Sequence, residues 1–209
     1  MSENVTARSP IRPAAPLAVV AGWEVSAARS DAALTITDST PLAKVQVKAS
    51  AGGALAKALG VPFGRAAWDA GELVIGAGPG QWLVLAPPGT GASVARRLEG
   101  TAAESAPGEF VSVTDLTHGR ALVRVTGARV PDLLARLCPA DLHDDMAPNG
   151  AAFRTSVAGL ATDLVRDDQG GTMSYLLHCE RSAGQYLFDA LVAAGGSFGI
   201  GVTGFESPG

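Results

Sequence analysis

Four stretches carry residue types at spacings that chemistry uses. VIGAGPG (Val74 to Gly80) has the glycines of a dinucleotide-binding turn. APPGTGAS (Ala86 to Ser93) comes close to a phosphate-binding loop. His143, Asp144 and Asp145 follow one another, and His178 stands next to Cys179. A dinucleotide turn must open a helix, because the helix N-terminus receives the pyrophosphate. Here the glycines run into QWLVLAP, an apolar stretch stopped by Pro87 and Pro88, which is strand-like. Arg96 and Arg97 stand where the acidic ribose ligand should end the next strand. GAGPG is therefore expected to be a hairpin turn, with Trp82 packed on a strand. APPGTGAS does join a strand to a helix, but Ala86 replaces the first glycine and Ala92 replaces the lysine that reaches the phosphates. Adjacent residues such as His143 to Asp145 point in different directions from a loop, and no second cluster has metal-ligand spacing. Cys138 and Cys179 are the two cysteines, far apart and without a nucleophile motif, and no G-x-S-x-G elbow exists. For His178 and Cys179 the default is a packed or satisfied side chain on a strand. The residues offer no catalytic set of their own.

The elements around these stretches repeat. KVQVKASAGGALAKALGVPFG (Lys44 to Gly64) lies over LVRVTGARVPDLLARLCPADL (Leu122 to Leu142) without a gap, at an offset of 123 − 45 = 78. WLVLAPPGTGASVARRL (Trp82 to Leu98) lies over YLLHCERSAGQYLFDAL (Tyr175 to Leu191), at 175 − 82 = 93. Each copy reads as strand then helix, from alternating apolar residues followed by apolar spacings of three and four. The order strand-helix, strand-strand-helix predicts an α+β fold of duplicated split βαβ (ferredoxin-like) halves, with antiparallel sheets and helices on one face. Further strands are expected within 111–117, 153–167 and 197–205. The larger second offset places an insertion around HDDMAPNG (His143 to Gly150), a loop by its Pro and Asn-Gly. Residues 1–38 lack a repeat partner and are expected to form an arm. Residues 39–209 then form one duplicated domain, with halves at about 40–105 and 110–205.

Composition narrows the function. Of 209 residues 47% are hydrophobic and 17% charged, which fits a folded domain with surface to be covered. A net charge of −4 and 5% aromatics argue against nucleic-acid binding. AAPLAVVAG (Ala14 to Gly22) mimics a weak signal peptide, but Pro16 interrupts it and Trp23-Glu24 follows where small residues belong, so a cytoplasmic chain is expected. Polar residues in apolar surroundings, namely Asp115, Asp141, Arg154, Thr155, Arg181 and Ser182, read either as turn and capping groups, with Ser182 a helix cap, or as contacts to a partner.

RSPI (Arg8 to Ile11), GPGQWLVLAP (Gly78 to Pro87), VTDLTHGRALVRVTG (Val113 to Gly127), LLARLCPADLHDDMAPNGAAFRT (Leu133 to Thr155) and RSAGQYLFDAL (Arg181 to Leu191) run in the same order in another family. On them the chain resembles the gamma subunit of heterotetrameric sarcosine oxidase. CPADLH with NGAAFRT is the most specific part. The resemblance implies a fold like the folate-binding domain of the glycine-cleavage aminomethyltransferase, itself duplicated. It implies a non-catalytic assembly subunit of a complex that oxidatively demethylates sarcosine to glycine, yielding hydrogen peroxide and methylenetetrahydrofolate. Alpha, beta and delta subunits would be its partners and would carry FAD, FMN, NAD, zinc and tetrahydrofolate, with no cofactor in this chain. The alternative is a folate-dependent, aminomethyltransferase-like one-carbon enzyme or folate-binding protein. Candidate partner contacts are Arg8, Pro10, Ile11 and Leu17 in the arm, and His143, Asp144 and Met146 in the insertion.

Overall fold

The chain is described by a computed structural model covering residues 6–206. Ahead of the duplicated part, β1 (Ala7–Arg8), β2 (Leu17–Val20) and β3 (Trp23–Ser26) form a small sheet in the order β1-β3-β2. The first half then contains β4 (Thr35–Asp38), β5 (Ala43–Lys48), α1 (Ala54–Leu59), β6 (Ala66–Asp69), β7 (Glu72–Gly78), β8 (Gln81–Ala86) and α2 (Gly91–Ser105). The second contains β9 (Ser112–Asp115), β10 (Arg120–Thr126), α3 (Val130–Leu134), β11 (Ala152–Val157), β12 (Leu160–Arg166), β13 (Ser174–Glu180), α4 (Gly184–Gly195) and β14 (Gly201–Val202).

The duplication holds to the level of register. Val45 on β5 pairs with Val84 on β8, and Val123 on β10 pairs with Leu177 on β13. These are the partners that the two offsets demand, since 45 + 78 = 123 and 84 + 93 = 177. In each sheet the two strands flanking the first helix are split by a third: β8 lies between β5 and β7, and β13 between β10 and β12. This is the split βαβ plan, with β6 and β11 added at the edges. Residues 153–167 form a hairpin rather than one strand, turning at Ala158 and Gly159, both at positive φ. Gly78 to Gln81 is likewise a hairpin turn, with Gly80 at φ 68°.

The halves exchange their leading strands. β4 opens the first half but pairs with β10 in the second half's sheet (β11-β12-β13-β10-β4-β14). β9 opens the second half but pairs with β5 in the first half's sheet (β6-β7-β8-β5-β9). β14 therefore does not sit beside β10; it adds in parallel outside β4. The two crossings lock onto each other. The Lys44 N–H donates to Thr117 Oγ1 (3.0 Å), and the Leu122 N–H donates to Thr40 Oγ1 (3.1 Å). The fully buried Lys44 ammonium donates to the carbonyls of Thr40 (2.6 Å), Leu42 (2.7 Å) and Thr117 (3.3 Å).

Residues 6–38 are not a free arm. Trp23 and Val25 are buried on alternate positions of β3, and β4 is an internal strand. Ile11 is 1% exposed among Leu34, Ile36 and Phe188 in the second half's core. The alternation of WEVS and TITD is what allows these short strands to bury one face.

Three apolar layers result. One lies between α1/α2 and the first sheet, one between α3/α4 and the second, and one between the two sheets. Along β8, Trp82, Val84 and Ala86 face the helices while Leu83 and Leu85 face the other sheet. Burial on both faces is why β8 is apolar without alternation. The helices follow the same logic: Val94, Leu98 and Ala102 make one stripe on α2, and Leu187, Leu191 and Gly195 one on α4. α4 starts at Gly184, and Ser182 lies outside it in a 3₁₀ turn without capping it, because the turn carries the chain on from Glu180 before the helix begins.

A polar clamp joins the halves at one end. The Trp68 indole N–H donates to Asp167 (2.8 Å), whose other oxygen accepts from Arg124 (2.6 Å). Trp68→Phe is expected to cost about 1 kcal/mol, the net value of one such hydrogen bond. Urea unfolding would read this as a lower midpoint at unchanged slope.

Candidate functional site: the inter-sheet pocket

The candidate partner contacts fall into two groups on the surface. Arg8 is exposed and pairs with Glu24 (3.5 Å), while its carbonyl accepts from Arg181 (2.6 Å). Pro10 packs on the start of α4, close enough that a side chain at Gly184 would collide with it. Ile11 is removed from the candidates, because its side chain is already inside the core. Leu17 is 55% exposed on the outward face of β2, next but one to Val19 at 66%. His143 and Asp144 are exposed in the loop after α3, where Asp144 accepts from the buried Arg166 (2.5 Å), and Met146 is 68% exposed. No hydrogen bond or ion pair among the described residues joins the two groups.

The other polar residues divide. Asp115 accepts from the Thr117 N–H (2.8 Å) and Asp141 from the His143 N–H (2.9 Å), both as turn groups. Among the described residues no group of three or more His, Cys, Asp or Glu is placed to hold a metal ion. Cys138 and Cys179 are both buried free thiols, and burial pushes Cys179 up to about 11. No helix among the described residues is long and apolar enough to cross a membrane.

The structure adds a site that sequence reasoning missed. Between the two sheets lies a pocket of about 160 Å³. Its floor is apolar, formed by Leu83 and Leu85 of the first sheet and Leu122 and Leu176 of the second. Its polar wall is a row across the second sheet. Arg154 on β11 faces Asp163 on β12, and Asp163 faces His178 on β13. Arg154 grips the carboxylate with Nε (2.7 Å) and Nη2 (3.0 Å). His178 Nδ1 lies 3.4 Å from Asp163 Oδ2. Arg120, at the mouth, pairs with Glu180. Burial would raise the Asp163 carboxyl, but hydrogen bonds from His178 and Arg154 outweigh it and bring the group down to about 2. Burial pushes the His178 ring down, against the hydrogen bond and charge of Asp163. His178 is 6% exposed, and its Nε2 has no hydrogen-bond partner. Cys179 points to the opposite face, into the helix-side core. The available signal was positional: in SYLLHCE, strand alternation puts His178 on the face of Leu176, a polar group where an apolar one is expected.

This fold defines a class. The chain belongs to the GCVT N-terminal domain family, which matches residues 72–208. It is 35% identical over 126 residues to a sarcosine oxidase subunit gamma of an Arthrobacter species, covering 57% of this chain and 59% of that one. It is 32% identical over 96 residues to the sarcosine oxidase subunit gamma of Corynebacterium sp. (strain P-1), covering 46% and 44%. The matches thus span about half the length of these curated relatives. A chain of heterotetrameric sarcosine oxidase from Corynebacterium sp. U-96, solved in complex with pyrrole 2-carboxylate, is similar at a TM-score of 0.68 and 25% identity, covering 81% of this chain and 87% of that one. The glycine cleavage system aminomethyltransferase T of Bartonella henselae shares the fold at a TM-score of 0.67 and 15% identity, covering 90% and 55%. The duplicated α+β architecture expected from the sequence is therefore the fold of the family.

The family resemblance raises the question of a folate. The inter-sheet pocket does not fit one. Its 160 Å³ falls below the roughly 300–1,000 Å³ of sites for larger ligands, and the Arg154–Asp163 pair and His178 occupy one wall.

Proposed function

We propose that this chain is a non-catalytic assembly subunit of a cytoplasmic sarcosine oxidase, held against larger subunits of the alpha, beta and delta kind. FAD, FMN, NAD, zinc and tetrahydrofolate belong to those partners. The complex oxidises sarcosine to glycine, with hydrogen peroxide and methylenetetrahydrofolate as the other products. The observation that carries this reading is the similarity to two sarcosine oxidase gamma subunits, together with a match to 87% of a chain from the heterotetrameric enzyme. Residues 39–209 act as one domain, a reading that the pairing of β9 with β5 across the halves supports, and β4, at residues 35–38, completes its second sheet. A folate-dependent transferase is the weaker reading, because both curated relatives are sarcosine oxidase gamma subunits and the aminomethyltransferase is matched at only 15% identity.

Docking is assigned to exposed apolar side chains with no role in the core. Leu17 and Val19 project outward from β2 while Ala18 and Val20 turn inward. Burying each against a partner would contribute about 1.5–3 kcal/mol. His143, Asp144 and Met146 form a second contact, with Arg8 and Pro10 beside the first. Removing residues 1–20 would not test this, since Ile11 would be lost from the core. Leu17→Asp with Val19→Asp is the cleaner change. The double variant should keep its unfolding free energy within about 0.5 kcal/mol of the parent. Its recovery with co-expressed large subunits should fall about tenfold or more. Undiminished recovery would move the docking surface elsewhere, and failure of the unmodified chain to co-purify would remove the assembly reading.

A further inference from the structure

Among the described residues the three sheets have six edge strands, and β2 differs from the other five. β1 and β14 are two residues long, β6 and β9 each carry an aspartate, and β11 carries Arg154. Short length and charge keep edge strands from pairing with other chains. β2 is LAVV, four residues with neither a charge nor a proline.

The register decides which backbone groups face the open side of β2. A two-residue turn at Ala21 and Gly22, both at positive φ, joins β2 to β3. Hydrogen-bonded positions alternate along an antiparallel pair. The Ala27 N–H donates to the Pro16 carbonyl (2.7 Å), so Ala18 and Val20 bond inward to β3 as well. The N–H and C=O groups of Leu17 and Val19 are therefore directed outward. β3 is the one strand beside β2 among the described residues, and no backbone hydrogen bond from another described element reaches these groups. The side chains of Leu17 and Val19 are 55% and 66% exposed. Donors with partial positive charge and acceptors with partial negative charge thus alternate at strand spacing beside an apolar surface. Another extended backbone complements that row of charge, and the uncharged side chains favour an apolar one. A helix satisfies its own backbone groups and could answer only the side chains.

We propose that a large subunit docks by adding an extended, uncharged segment to the open edge of β2, hydrogen-bonded to the backbone of Leu17 and Val19. This rests on the assembly reading and gives the contact its form.

Val19→Pro and Val19→Ala separate backbone pairing from side-chain burial. Proline keeps an apolar side chain and removes an N–H that faces outward, so the fold loses no hydrogen bond. Alanine keeps the N–H and gives up side-chain area. Recovery with co-expressed large subunits should fall about three- to tenfold further for Val19→Pro than for Val19→Ala. In the co-purified parent complex, amide exchange at Leu17 and Val19 should slow at least about tenfold against the free chain. If Val19→Pro does not fold, the exchange comparison decides alone. Recovery of Val19→Pro equal to or above that of Val19→Ala, or unslowed exchange at Leu17 and Val19, would overturn strand addition and leave the assembly reading standing. Self-association of the chain alone that Val19→Pro abolishes would also overturn it, by making a second copy the occupant. Failure of the parent chain to co-purify removes both.

Discussion

Trp82→Ala should destabilise the chain by about 3–5 kcal/mol, the range for removing a buried large aromatic residue. Trp82 is 4% exposed between β8 and α1, and its indole N–H donates to the Val61 carbonyl (2.7 Å). The ring thereby fixes the chain after α1 to the centre of the first sheet. Gly76 matters for the same approach, since any side chain there would strike the Pro62 carbonyl. Tyr175 holds the equivalent place in the second half and is fully buried, yet its hydroxyl has no partner. Tyr175→Phe should therefore stay within about 0.5 kcal/mol of the parent or stabilise it, because it removes an unsatisfied group. Trp82→Phe should cost about 1–3 kcal/mol, since it leaves the Val61 carbonyl without its donor. Chemical denaturation of the three variants would decide the matter. Equal losses for Trp82→Phe and Tyr175→Phe would mean that the two positions are not distinguished by their polar atoms.

Stability should also rise with pH above neutrality, through Lys44. Burial pushes this ammonium from 10.5 down to about 7, against the opposing charges of Asp38 and Asp115. The three carbonyls around it act in place of water. Between pH 7 and 10.5 the unfolded chain holds more protons than the folded one, so the folded state gains as pH rises. Below pH 7 both states carry the charge and the penalty is constant. The gain between about pH 7 and pH 10 is on the order of 4 kcal/mol at most, at about 1.36 kcal/mol per pH unit. Lys44→Met should remove this slope. It should also lower stability at every pH by leaving the carbonyls of Thr40 and Leu42 without their donor. The difference between parent and variant should then be largest near pH 10 and smallest near pH 6. Unfolding midpoints across that range test the claim, and parallel profiles for the two proteins would show that Lys44 is not the titrating group.

Much of the fold was legible because local periodicity carries it. The alternation in KVQVK and the three-and-four spacing after it recur in LVRVTGARVPDLL, and the two offsets meet again as paired strand registers. The near-miss glycine motifs were readable as turns, because the residues after Gly80 form a strand and because Ala92 replaces a lysine. Other features were not legible. β4 and β9 are four-residue strands whose pattern satisfies either sheet, so their exchange rests on which edge the crossings at Thr40 and Thr117 can reach. Ile11 lies in a proline-rich segment with the look of a free arm, and its burial depends on a groove beside Phe188 made by residues far along the chain.

The duplication, and the strand and helix positions within each half, are written in side chains that stand within a few residues of one another. The family is written in a shared run of them. The candidate site has a different origin, in the packing of distant segments. Arg120, Arg154, Asp163 and His178 stand on four strands, and pairing register alone sets Arg154, Asp163 and His178 in one row. The orphan Nε2 results from that row, because whether a buried atom finds a partner depends on the opposing sheet, which no local pattern encodes.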